Sequence, residues 1–240
     1  MNLEIQEPVP APKAPGYSVP WKFMDNWIGV ALLAVIQAAI FIFMLWGPRT
    51  DVFRSAAVIF LEAAYILPVV LILAWRRIHW KHLGFSRFEW KELGLGCGLL
   101  VAGYSIIILY GLLLLTFGIE TQGQQIVKLL AELDSPIWFF IVAAFVAPFV
   151  EEVFFRGFLF QGLRQRYGWI TAALLSSAIF AVAHLDLVAL IPTFILGVVL
   201  AYVYHRSNSV WPGIILHFLV NASSSSLAYF VIQYQDVIPV

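Results

Sequence analysis

Long apolar runs separated by short polar clusters organise this 240-residue chain. A helix that crosses a bilayer needs about 20 mostly apolar residues. Seven stretches meet or approach that length: 27–46, 56–75, 93–117, 136–158, 169–186, 188–204 and 211–233. The first three read as ordinary hydrophobic helices, whereas the later four are shorter or carry polar residues. The pattern predicts an all-α fold, a polytopic transmembrane bundle of about seven helices. Residues 119–135 mix polar and apolar positions at helical spacing and predict an amphipathic helix lying along the membrane surface. The first residues are polar and rich in proline (Pro8, Pro10, Pro12, Pro15, Pro20). They lack the basic start and small-residue cleavage site of a signal peptide. The expected organisation is a disordered cytosolic tail (1–26), N-terminal helices with the surface segment (27–135), a helical core (136–233) and a C-terminal tail (234–240).

Composition narrows the class. The chain is 62% hydrophobic and 12% charged, against about 45–50% apolar and about 25% charged in soluble domains. Fourteen basic residues balance fourteen acidic ones, and no basic stripe marks a nucleic-acid partner. Membrane lipid is the expected surrounding, and nine Trp with nine Tyr suit two lipid–water interfaces. Cys97 is the one cysteine, so no disulfide framework exists. Lys13, Lys22, Arg76, Arg77, Lys81, Arg87, Lys91, Arg164, Arg166 and Arg206 fall between spans on one side, while Arg49, Arg54 and Lys128 fall on the other. The excess predicts a cytoplasmic N-terminus. An eighth crossing would break that alternation. A bacterial plasma (inner) membrane is the expected location.

Against this background a few polar residues stand out. Glu151 and Glu152 are adjacent in an apolar stretch. One ionisable group near the bilayer centre costs about 2.5–3.5 kcal/mol on insertion scales, and two carboxylates also repel. Arg156 is four residues after Glu152, the favourable order for a helical ion pair. Glu151 projects about 100° away and is left for chemistry, because a carboxylate stripped of water is a stronger base. Phe180 and His184 share a helix face, as do His217 and Asn221. If the chain turns near Gly168, Glu151 and His184 lie at nearly equal depth. His217 matches them if residues 161–168 project beyond the Val210 turn. The three helices are therefore expected to converge on one site, nearer the cytoplasmic face.

Other polar residues carry less. Ser223 to Ser226 lack the GxSxG elbow of a serine nucleophile, and small residues commonly line membrane helix contacts. His79, His82 and His205 are expected to face water or headgroups. Asp186 either touches the site or caps a helix, and Glu62, mid-span, is a cavity-lining candidate without a role.

The motifs Glu151-Glu152-x-x-x-Arg156, Phe180-x-x-x-His184 and His217-x-x-x-Asn221, in that order on apolar helices, resemble the CPBP family. That family comprises CAAX-processing prenyl endopeptidases and bacteriocin-processing or bacteriocin-immunity proteins, including those similar to lysostaphin resistance protein A. The resemblance covers about residues 136–225. It implies an intramembrane endopeptidase acting on a membrane-associated or lipidated protein or peptide. Glu151 would be the general base and His184 would help hold the water. His217 and Asn221 would stabilise the oxyanion, with Glu152, Arg156 and Phe180 in support. A zinc alternative would use Glu151, His184 and His217. Asn is a poor zinc ligand and there is no HExxH motif, so the expectation is a metal-free enzyme without cofactor. Two competing functions use the same residues: a non-proteolytic immunity factor or scaffold, and a proton-coupled transporter. Against transport, the halves show no repeat and no paired broken helices.

Overall fold

The computed structural model describes residues 18–48, 50–131 and 136–234. Expectations for residues 1–17, Arg49, Asp134, Ser135 and 235–240 lie outside the described residues. Among the described residues nine α-helices follow one another: α1 Phe23–Trp46, α2 Asp51–Arg76, α3 Trp90–Thr116, α4 Gln122–Ala131, α5 Pro136–Ile141, α6 Ala147–Glu152, α7 Gln161–Ala183, α8 Leu190–Ser207 and α9 Trp211–Tyr234. Two π-helical stretches, Val142–Val146 and Val153–Phe160, join α5, α6 and α7 into one continuous path. Strands are absent among the described residues. The protein is an integral membrane, all-α bundle: α1, the Ile59–Arg76 part of α2, α3, α8 and α9 are each long and apolar enough to cross a bilayer.

The centre of the bundle is the path through residues 153–160, where all eight residues are buried. Phe154, Phe155, Phe158 and Phe160 supply most of its volume, and Tyr65, Trp21, Phe180 and Tyr204 pack around them. The α1–α2 pair lies against this centre, α8 and α9 close its other sides, and α3 leans on α8 and α9. Glycine permits two of these approaches. A Cβ on Gly197 of α8 would lie 2.8 Å from the Ser177 Cβ of α7. A Cβ on Gly96 of α3 would lie 2.2 Å from the Leu216 side chain of α9.

Residues 18–26 depart from the expected tail. Trp21 is buried against Phe158, with ring centroids 5.2 Å apart. Its indole N–H donates to Asn26 at 3.1 Å. Asp25, fully buried, pairs with Arg76 at 2.7 Å. These polar residues look like solvent-exposed tail in sequence, because the partner that neutralises Asp25 is fifty-one positions away.

The cationic loops meet at one end of the bundle. The Gln161 side chain donates to the His82 carbonyl (3.0 Å), Ser209 to the Ser86 carbonyl (2.7 Å), and the Val210 amide to Gly84 (2.9 Å). Val210 packs at Gly157 rather than at Gly168. The chain therefore continues through Tyr167 beyond the Val210 turn and breaks at Gly168 (φ 77°, ψ 170°). That offset brings His217 level with the two glutamates, as the sequence requires. At the far side, α4 packs on α9 and buries Leu130.

Candidate active site

The site starts from a local fault in the helix. The Ala147 amide reaches back five residues to the Val142 carbonyl. In that register the next donor, to Ala143, would come from residue 148, which is proline and has no N–H. The Ala143 carbonyl is thereby released, and the Asn221 amide on α9 donates to it at 2.8 Å. A buried carbonyl left without a donor is costly, so the widened turn and Asn221 fit one another. Sequence reasoning placed Asn221 at the site but did not find this latch. Pro148 was the available signal.

Just beyond, α6 ends in the two glutamates. Glu152 is fully buried, and its Oε1 accepts from Arg156 Nη1 at 2.6 Å, so the expected i,i+4 pair is present. Arg156 also donates from Nη2 to the Gly197 carbonyl (3.2 Å), and its guanidinium stacks 4.5 Å from the Phe180 ring centre. The same Glu152 oxygen lies 3.2 Å from His217 Nδ1. A carboxylate engaged by arginine is an acceptor, so Nδ1 carries the proton and donates. This contact was not foreseen. Its trace in the sequence is Gly213, one turn before His217: a Cβ there would lie 2.7 Å from Glu152 Oε2.

Glu151 is 4% exposed and faces the other way, with Oε2 3.7 Å from His217 Nε2. His184 stands just past the end of α7, because Leu185 takes a left-handed turn (φ 53°). The predicted span to 186 is thus shorter. His184 Nδ1 donates to the Phe180 carbonyl at 2.8 Å, satisfying a helix-end acceptor. Its Nε2 is left as an acceptor. The Phe180 ring sits between the histidines, 4.8 Å from His184 and 5.8 Å from His217, both edge-on.

Glu151, His184, His217 and Asn221 all line one cavity of about 430 Å³, within the usual range for ligand sites, about 300–1,000 Å³. Glu152, Arg156 and Phe180 stand behind its wall. Glu62 and Tyr65 of α2 and Gln122 and Ile126 of α4 also line it. Ser224 and Ser225 also border it. Asp186 does not: its carboxylate accepts from the Val188 amide (2.9 Å) and closes a local turn. His79 and His82 are exposed, and half-buried His205 stacks on Trp169. Among the described residues no three His, Cys, Asp or Glu side chains are grouped as a metal site.

Residues 133–223 match the family described as type II CAAX prenyl endopeptidase Rce1-like. Over 105 residues the chain is 30% identical to "Putative membrane peptidase YdiL" of Bacillus subtilis (strain 168), covering 44% of this chain and 43% of that protein. The chain thus spans less than half the length of that relative. No solved structure matches. The family match and the relative support the CPBP resemblance carried by the three motifs, and with it similarity to membrane proteases.

Proposed function

We propose that the protein is an intramembrane endopeptidase that hydrolyses a peptide bond with water activated by Glu151. The observation that carries this reading is the convergence of Glu151, His184, His217 and Asn221 on a single cavity. The attacking water gives one proton to the Glu151 carboxylate and directs its other hydrogen to His184 Nε2. Its oxygen then adds to the scissile carbonyl. Asn221 spends one amide hydrogen on Ala143 and has a second for the developing oxyanion. His217, held through Nδ1–H by Glu152, adds a donor from Nε2 when it carries both protons. The proton on Glu151 passes to the leaving amine as the C–N bond breaks, which restores the carboxylate. Such preorganised donors are typically worth about 10²–10³ in rate each.

A metal-free mechanism is favoured because a catalytic zinc takes three protein ligands, and no three His, Cys, Asp or Glu side chains are grouped for one among the described residues. Cleavage is expected to survive exhaustive chelation; activity lost to chelator and restored by zinc would reverse this choice. The surrounding membrane is proposed to be the plasma membrane, with the cationic loop end and N-terminus cytoplasmic.

The decisive test compares purified wild-type, Glu151→Gln, His184→Ala and His217→Ala proteins in lipid. All three variants should insert and fold while losing proteolysis. Wild-type-like cleavage by Glu151→Gln would sink the assignment. Comparative proteomics of wild-type and Glu151→Gln cells should reveal substrates as peptides cut near a membrane face.

A further inference from the structure

The mechanism leaves one carboxyl group of the cavity without work. Glu62 sits in the middle of α2, between Leu61 and Ala63. Its Oε2 is sealed from solvent and has no hydrogen-bond partner. It shares the cavity with Glu151, whose own Oε2 is equally shielded and makes no hydrogen bond. The other titratable groups lining the space are His184, His217, Tyr65 and Tyr104. Among the described residues that line it there is no Lys or Arg. Arg156, the nearest guanidinium on the wall behind, is engaged by Glu152 and the Gly197 carbonyl.

A buried carboxylate facing another is relieved by a cation that brings its own hydrogen-bond donors. No Lys or Arg among the described lining residues supplies a fixed positive charge, so a bound ligand is the source of one at Glu62. We infer that Glu62 forms a cation-accepting subsite, so that the peptide cut at Glu151 carries a Lys or Arg side chain beside the scissile bond. The long apolar stem of such a side chain suits the cavity's aliphatic lining, provided by Leu61, Leu100, Ile107 and Leu196. Its charged tip reaches the α2 wall while the backbone lies against α6 and α9. A free C-terminal carboxylate at the same place would be repelled. This inference rests on the peptidase reading, but its test reads binding separately from cleavage.

The experiment uses the full chain in phosphatidylcholine nanodiscs. The probes are three apolar heptapeptides with both ends blocked, differing only in a central Lys, norleucine or Glu. Affinity is read from fluorescence titration, and mass spectrometry of the same samples reports cutting. A charge-assisted hydrogen bond contributes about 1.5–3 kcal/mol, so the Lys peptide should bind about tenfold or more tighter than norleucine, with Glu weakest. In Glu62→Gln the Lys advantage should fall to near unity, and in Glu62→Asp part of it should return. Equal binding of the Lys and norleucine peptides by the wild type overturns the proposal without any variant. So does a Lys preference that persists in Glu62→Gln. Retained Lys preference in a wild type that cuts nothing would instead overturn the peptidase reading while leaving the subsite standing.

Discussion

Two regions of this bundle use the same apolar alphabet for opposite purposes. In α1 and α3 only 11% of the most apolar window is buried within the protein, whereas all of residues 153–160 are buried. The outer helices present their side chains to lipid, which is as apolar as they are, and little is gained by packing them more tightly. The inner path packs protein against protein around a cavity that must hold charge. Hydrophobicity alone therefore does not mark the core of a membrane protein. The core is where glycines, aromatic rings and paired charges gather.

Substitutions can break or sharpen that contrast. The largest loss is expected at Arg156→Ala, which strands Glu152 as a buried charge; breaking a buried pair costs about 3–5 kcal/mol. Thermal unfolding in detergent, alongside a double variant Glu152→Gln/Arg156→Ala that recovers part of the loss, checks it. Phe158→Ala empties a fully buried ring position, with an expected cost of about 3–5 kcal/mol. Leu109→Ala on the lipid face of α3, 67% exposed, should change stability by no more than about 0.5 kcal/mol. Similar losses for Phe158 and Leu109 would erase the distinction between the regions. Asn221→Ala removes both the proposed oxyanion donor and the Ala143 latch, so the rate should fall about 10²–10³-fold. Gly213→Ala should cost about 1–3 kcal/mol through overpacking and lower kcat by displacing Glu152 from His217. An unchanged kcat there would separate Glu152 from catalytic positioning.

The order of these effects parallels what sequence could and could not reveal. The all-α membrane bundle and the approximate limits of its long helices were legible because apolar runs of spanning length have few other uses. The candidate site residues were legible because polar groups inside such runs are expensive and therefore conspicuous. What stayed hidden depends on pairing between distant positions. Asp25 and Asn26 read as tail until Arg76 and Trp21 are placed beside them. Glu152 read as a partner of Arg156 alone, because an i,i+4 rule sees one helix and His217 comes from another. The widened turn at Val142–Val146 leaves no periodic trace, since it needs only Pro148 and a donor from α9. Glu62 was visible as an anomaly, but its place in the same cavity as Glu151 required the fold.

The ion pair between Glu152 and Arg156 also bears on how the protein is made. Both partners lie on one continuous helical path, four residues apart. Their charges can neutralise each other while that segment is still alone in the insertion machinery, before α8 or α9 exists to receive it. Glu151 has no such companion on its own segment and waits for His217 of α9, the final helix among the described residues. Because α9 is synthesised after α6, the candidate site stays unassembled until α9 has joined the bundle.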